Sequence, residues 1–452
     1  MSASAWADRK LHFIAIGGAG MSGLALVCDQ LGARVTGSDR AESSYLRRLL
    51  AAGIDARVGH DPARVPEDAE VVVSTAVAET NPELARARAR RQRVIHRGEL
   101  LAELCSEKRL LAVAGAHGKT TTAGMLAWLA VGRSAFFIGG ELPGLGPGGQ
   151  SANAAWDADA EWVIAEADES DASFLELEPE IAVITNVELD HHSHWSSRAE
   201  LTEAFRRFAE PAAGLVLGAD PALDSIPAGQ RTVRFDADRP GGALRLGVPG
   251  VHNVLNARAA LAAAELAGFG SPEELAPRLE GFPGMLRRQQ RKGRSDGAEV
   301  YDDYAHHPSE VAATLAALRE LAPRRLIAVF QPHLYSRTKA LAGRFGAALA
   351  AADAVGVLDV YAAREQPVGE LAGVSGLDVA RAAADRSGGR PVWWLRDVET
   401  ALRRLTRELR AGDLLVTIGA GDIHELASEL VDEEQLPAAS SASPPGAAGS
   451  EE

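Results

Sequence analysis

The chain is poor in cysteine, short of positive charge and without any long apolar run, and each shortage excludes something. Only Cys28 and Cys105 occur in 452 residues. Both sit in apolar helical contexts, where a small buried side chain is the default, so no disulfide framework is expected and a reducing cytoplasm is the natural setting. No window approaches the roughly 18 uninterrupted apolar residues of a membrane span. The N-terminus, MSASAWADRK, leads into no apolar stretch ending at a small-residue cleavage site, so neither targeting nor anchoring is expected. Lys and Arg total 47 against 62 Asp and Glu, a formal charge of −15, which disfavours a nucleic-acid partner. What remains is ordinary globular usage, 46% hydrophobic and 24% charged, which disfavours a disordered or fibrous chain. At about 150 residues per domain this length predicts three folding units.

Strand and helix patterns alternate throughout, which predicts an α/β protein. LHFIAIGG (11–18) reads as a strand running into a Gly-rich turn, an apolar helix and a second strand, RVTGSD, ending at Asp39. VVVSTA and RVIHRG continue this block to the polar break SEKR. LLAVAGA then leads through GKTTTAGMLAWLA into a second strand–loop–helix, followed by the apolar runs EWVIAEAD and EIAVITNV, as buried parallel strands should be. RRQQRKGRSDG (287–297) is polar, basic and Gly-containing, and reads as a hinge. Beyond it RRLIAVFQ, DAVGVLDVY and DLLVTIGAG predict a further Rossmann-like sheet. The organisation expected is 1–107, 108–296 and 297–431, with a low-complexity tail, 432–452, too polar to order itself.

Two glycine-rich turns lie between strand and helix. Gly18-Ala19-Gly20-Met21-Ser22-Gly23 matches G-x-G-x-x-G, with Asp39 following 21 residues after Gly18. Taken alone it reads as dinucleotide binding, but its physics is only the approach of a diphosphate to free helix N–H groups, so NAD and a nucleotide sugar are equally served. The second, Gly115-Ala116-His117-Gly118-Lys119-Thr120-Thr121-Thr122, is more specific. Lys119 would place a cation on the β and γ phosphates of ATP and the Thr120 hydroxyl would reach magnesium. Val113 stands where the standard loop has its first glycine.

Carboxylates and imidazoles follow at other strand ends. Glu166, at the end of the strand in EWVIAEAD, opens a run to Asp171 that crowds four carboxylates, and Glu188, Asp190, His191 and His192 follow EIAVITNV. A Gly-Lys-Thr loop with a strand-end acid and a strand-end His is what neutralising charge during phosphoryl transfer requires. Tyr304, His306 and His307, then His333 and Arg337, mark the ends of later strands.

Taken in order, GGAGMSGLA, AGAHGKTTT, EADESDASFLELEP, TNVELDHH, HNVLNARAA, DDYAHHPSE and FQPHLYSRT resemble the Mur ligases, most closely their alanine-adding branch, over about residues 11–424. The resemblance implies three domains: a Rossmann-like one binding a UDP-sugar, a central P-loop-type ATPase with a parallel sheet, and a Rossmann-like C-terminal one that closes over both and receives the amino acid. It implies a cytoplasmic ligase, a monomer or weak homodimer, acting on UDP-N-acetylmuramate, L-alanine and ATP with Mg2+, with no nucleic acid and no membrane. Gly18, Gly20, Asp39, His60 and Ser74 would meet the UDP. Gly115, Gly118, Lys119, Thr120 and Thr121 would hold the ATP phosphates, and Glu166 and His191, with Thr120, the metals. His252, Asn253 and Asn256 would face the adenosine, Arg288 would reach the nucleotide, and Asp303 would contact ribose or the arginine. Tyr304, His306, His333 and Arg337 would line the alanine end, with His306 a candidate base for the amine proton and Arg337 the carboxylate partner. The lactyl carboxylate would be activated as an acyl phosphate and then attacked by the amine of alanine. Three positions depart from the family pattern: Ala116, Gln289 and Leu334. The carbamylated lysine of several Mur ligases is impossible here, since no lysine lies between Lys119 and Lys292. Two rival readings are a ligase that adds a preformed murein peptide to the same sugar nucleotide and, from the first loop taken literally, an NAD-dependent oxidoreductase. A third is a catalytically silent nucleotide sensor.

Overall fold

The computed structural model describes residues 6–189, 194–227, 231–236, 244–363 and 365–431. His191 and the tail 432–452 lie outside the described residues. Among the described residues three sheets form the α/β framework. The first has the order β3-β2-β1-β4-β5, from Lys10–Ile14 (β1), Arg34–Asp39 (β2), Asp55–Val58 (β3), Glu70–Val73 (β4) and Val94–His96 (β5), all parallel. This is the doubly wound order 3-2-1-4-5, with the Gly-rich turn emerging from its central strand, where the strand order reverses.

The second sheet, order β12-β11-β10-β6-β9-β7-β8, comprises Arg109–Ala114 (β6), Ser134–Leu142 (β7), Ala152–Ala155 (β8), Trp162–Glu166 (β9), Ile181–Ile184 (β10), Gly214–Gly218 (β11) and Thr232–Phe235 (β12). Among the described residues of this sheet only the β7–β8 pairing is antiparallel. β10 is buried at every residue and β6 at all but Arg109, because helices must cover both faces of a parallel sheet.

These two sheets belong to one compact unit, residues up to 245 with 255–282. Within it Phe13, Leu24 and Cys28 share a core with Val163, Phe174 and Phe205. The helix Ala19–Gln30 packs on β8: a Cβ on Gly23 would lie 2.9 Å from Ala154 Cβ, and Asn153 Nδ2 donates to Ser22 Oγ at 3.2 Å.

The other unit, residues 246–254 with 283 onward, carries the third sheet, order β13-β14-β18-β15-β16-β17. Its strands are Gln290–Ser295 (β13), Ala298–Asp303 (β14), Arg325–Phe330 (β15), Ala354–Leu358 (β16), Val392–Arg396 (β17) and Asp413–Ile418 (β18). Here the hinge reading of 287–297 is corrected. Most of that segment is β13, paired antiparallel with β14 through a two-residue turn in which Asp296 (φ 48°) and Gly297 (φ 76°) are both left-handed. An Asp-Gly pair suits such a turn because its twist matches that of the flanking strands. The boundary expected after 296 therefore falls inside a hairpin. Among the described residues no helix is long and apolar enough to cross a membrane.

Candidate active site

The second glycine-rich loop is built by β6 and its neighbours. β6 ends at Ala114 and the helix Lys119–Leu129 begins after Gly118, with no side-chain cap and no acid in its first turn. Its leading N–H groups are thus left for an anion. The loop is clamped from β10: Thr185 Oγ1 donates to the His117 carbonyl at 2.6 Å, Asn186 Nδ2 donates to the same oxygen at 3.0 Å, and the His117 N–H donates to Asn186 Oδ1 at 3.0 Å. Gly118 is left-handed (φ 84°), and a Cβ there would lie 2.4 Å from Asn256 Oδ1. At Gly115 (φ 122°) a Cβ would lie 2.1 Å from Thr185 Oγ1. Neither position accepts a side chain.

Lys119 is folded back into this loop. Its Nζ donates to Gly115 O at 2.7 Å and to Glu169 Oε2 at 2.8 Å, with Ala116 O at 3.4 Å. Burial works against its charge, but Glu169, backed by Asp168 and Glu166, outweighs burial and holds the ammonium well above the ordinary lysine range. The Thr120 hydroxyl donates to Glu166 Oε1 at 3.0 Å, while Glu166 Oε2 accepts the Gly139 N–H at 2.7 Å. A hydroxyl and a carboxylate side by side at the loop are hard oxygen donors of the kind magnesium takes. Thr121 is buried, and the next hydroxyl, Thr122 Oγ1, lies 3.3 Å from Asn256 Oδ1. Sequence reasoning assigned no role to Glu169, one of four acids in a crowded run. Only tertiary contact singles it out as the partner of Lys119.

The first loop leads into the helix Ala19–Gln30, capped by Gly18 with no side-chain hydrogen bond and no acid in the first turn. Asp39 faces this turn: Oδ2 accepts the Gly17 N–H at 2.8 Å and Oδ1 the Ala41 N–H at 3.3 Å. His60 is tied inward, its Nδ1 lying 2.8 Å from Ser38 Oγ and 3.1 Å from Glu83 Oε2. Glu83 is buried, yet its carboxyl is held below the usual range. Desolvation pushes it up, but His12 together with hydrogen bonds from Ser38 and the Asp61 N–H prevails. Ser74 is half-buried just beyond β4, its carbonyl accepting the Val77 N–H. Gly20 faces an arginine that sequence reasoning passed over: a Cβ on it would lie 3.2 Å from Arg97 Nη1.

The second unit gathers another set. Asp303, at the tip of β14, accepts the Gln289 N–H at 2.8 Å and the Ala305 N–H at 2.7 Å. Burial is the dominant influence and raises its carboxyl to about 6, against the pull of Arg288 and the two N–H groups. Gln289, one of the family departures, is buried and bridges two expected adenosine residues: its Oε1 accepts from Asn253 Nδ2 at 3.1 Å and its Nε2 lies 3.1 Å from His252 Nε2. Burial depresses the His252 pKa. The guanidinium of Arg288 lies 5.3 Å from the Tyr304 ring centroid, a cation–π distance. Tyr304 meets His306 edge-on at 5.5 Å, and His306 lies 6.3 Å from His333. Arg337 sits in the first turn of the helix Tyr335–Leu349, which follows Leu334 in a left-handed conformation (φ 70°). Tyr361 supports this corner, stacking on His333 at 5.9 Å and accepting the Leu334 N–H at 3.0 Å.

Family models account for most of the chain: the Mur ligase family catalytic domain matches residues 10–109, the Mur ligase middle domain 113–226 and the Mur ligase glutamate ligase domain 287–421. The chain belongs to the Mur ligase family. This Mur ligase is 42% identical to a UDP-N-acetylmuramate–L-alanine ligase of Symbiobacterium thermophilum, over 93% of its own length and 94% of the relative's. It is 44% identical to one of Kineococcus radiotolerans, over 94% and 96%. Its fold matches the crystal structure of the UDP-N-acetylmuramate-alanine ligase of Thermotoga maritima with a TM-score of 0.78 at 26% identity, over 93% and 98% of the two chains. A murein peptide ligase of Psychrobacter arcticus shares the fold, with a TM-score of 0.68 at 24% identity, over 94% and 100%.

Proposed function

We propose that this Mur ligase joins L-alanine to the lactyl carboxylate of UDP-N-acetylmuramate at the expense of ATP, supplying a peptidoglycan precursor in the cytoplasm as a monomer or weak homodimer. The observation that carries the ATP part is the cluster at the tips of β6 and β9, where Lys119 meets Glu169 and Thr120 meets Glu166. The acceptor and the sugar nucleotide follow from relatives above 40% identity over nearly the whole chain.

A carboxylate is a poor acylating group because its leaving group would be oxide. In the proposed reaction the lactyl oxygen takes the γ-phosphoryl group, ADP leaves, and the amine of alanine displaces phosphate from the acyl carbon. Lys119 neutralises the β and γ phosphates after exchanging its contact with Glu169, and the first-turn N–H groups of its helix hold the remaining charge. Thr120 and Glu166 fit Mg2+ as hydroxyl and carboxylate ligands, and the ion supplies charge neutralisation on the phosphates when bound. His252, Asn253, Asn256 and Arg288 form the adenosine side. Tyr304, His306, His333 and Arg337 form the amino-acid side, with Arg337 pairing the carboxylate and His306 taking the amine proton. Gly18, Gly20, Asp39, His60 and Ser74 hold the UDP.

The test is phosphate release with ATP, Mg2+ and UDP-N-acetylmuramate across a panel of amino acids and a murein tripeptide. Release that needs all three substrates and peaks with L-alanine is expected. A preference for the tripeptide would replace this reading with the peptide-adding one, and no release with any acceptor would leave a silent nucleotide binder.

A further inference from the structure

A sugar nucleotide brings a diphosphate to the first glycine-rich loop, yet the loop sequence, residues 17–23, contains no Lys or Arg. Helix N–H groups supply part of the compensation, and a cation supplies the rest at many diphosphate sites. Arg97 opens the helix Arg97–Cys105 directly after β5, and its guanidinium comes up against the loop from the side. Its two ends do different things. Nη2 is held by Asp168 Oδ2 at 3.1 Å and Asp171 Oδ2 at 3.3 Å. Nη1 lies 3.2 Å from where a Gly20 Cβ would stand, in the first turn of the uncapped helix Ala19–Gln30. The side chain is one quarter exposed, so it is anchored without being sealed away.

We infer that Arg97 is a substrate-binding residue of this ligase, its Nη1 edge pairing with the diphosphate of the sugar nucleotide while Asp168 and Asp171 hold its Nη2 edge. The inference rests on the sugar-nucleotide reading of the first loop. A planar fork can serve two acid groups at once, and a lysine ammonium, a single point of charge, does so poorly. The anchors also sit in a telling place. Asp168 and Asp171 lie on the segment that carries Glu166 and Glu169, the partners of Thr120 and Lys119. Arg97 therefore ties the diphosphate end of one substrate to the loop that handles the other.

The experiment is calorimetric titration of the full chain with uridine, UDP and UDP-N-acetylmuramate, comparing wild type with Arg97→Met and Arg97→Lys. Losing a charge-assisted pair is expected to weaken UDP roughly 10- to 100-fold in Arg97→Met, with uridine unchanged. Arg97→Lys is expected to fall between, and it carries the test should the methionine variant not fold. Undiminished UDP binding in the variant overturns the inference. So does an equal loss for uridine and UDP, which would make Arg97 a structural ion pair. If the wild type binds no UDP, the sugar-nucleotide reading itself fails and the inference with it.

Discussion

Removing the Lys119 ammonium should act on stability and chemistry at once, and the two effects can be separated. Glu169 is 1% exposed and its carboxylate meets Lys119 Nζ at 2.8 Å, while the lysine side chain is 12% exposed. Lys119→Ala leaves that carboxylate buried without its counter-charge, for which breaking a buried pair costs about 3–5 kcal/mol. At roughly 2–4 °C per kcal/mol for a unit of this size, melting should fall by about 6–20 °C. The double variant Lys119→Met with Glu169→Gln removes both charges and keeps volume, so most of the loss should return. Activity should not return with it, because the cation proposed to meet the phosphates is still missing. Urea unfolding and phosphate release on the same preparations read the two effects, with UDP binding near wild type in both variants. A Lys119→Ala protein that melts with the wild type would show that the buried pair is not as described. Ligation at wild-type rate in the double variant would remove the second loop from the mechanism.

Three further outcomes follow from the geometry. Asp303 is held protonated up to about 6. The sign is that of a raised acid: its share of stability is full below the ordinary carboxyl range near 3.9 and is lost as pH rises through about 6, a swing of ~3 kcal/mol. Asp303→Asn should therefore gain on the wild type between pH 4.5 and 7.5 in urea unfolding, and a constant difference would refute this. Gly118→Ala places a Cβ 2.4 Å from Asn256 Oδ1 in a left-handed turn; a cost of at least ~1–2 kcal/mol and a raised KM for ATP are expected from denaturation and kinetics. Glu166→Gln keeps an acceptor for the Gly139 N–H but loses the charge beside Thr120. Its unfolding midpoint should stay within about 1 kcal/mol of wild type, while the Mg2+ concentration giving half-maximal phosphate release rises. An unchanged magnesium dependence would exclude Glu166 from the metal site.

Local pattern made much of the framework readable. The sequence pattern located β2, Arg34–Asp39, at both ends: the strand opens on exposed Arg34, buries Val35 and Gly37, and closes on the polar Asp39. It overran β1, where LHFIAIGG suggested a strand to Gly18: pairing stops at Ile14, and Ala15 turns left-handed (φ 66°) to start the loop. β3, β7, β8, β11, β12 and β17 were not foreseen. β8, ANAA, has no β-branched or aromatic residue, and its place is decided by packing on the helix Ala19–Gln30. The hairpin of β13 and β14 carried a readable signal in Asp296-Gly297, masked by the basic residues around it.

The sequence by itself determined the α/β class, the two glycine-rich loops, and the residue types that must flank a triphosphate, because these depend on backbone freedom and spacing along a few consecutive residues. Only the tertiary structure decided which acid of Glu166–Asp171 meets Lys119, that Gln289 bridges His252 and Asn253, and that Arg97 reaches Gly20. Those partners are brought together by strand order and helix packing, and a separation of 50 residues between Lys119 and Glu169 leaves no trace in local periodicity.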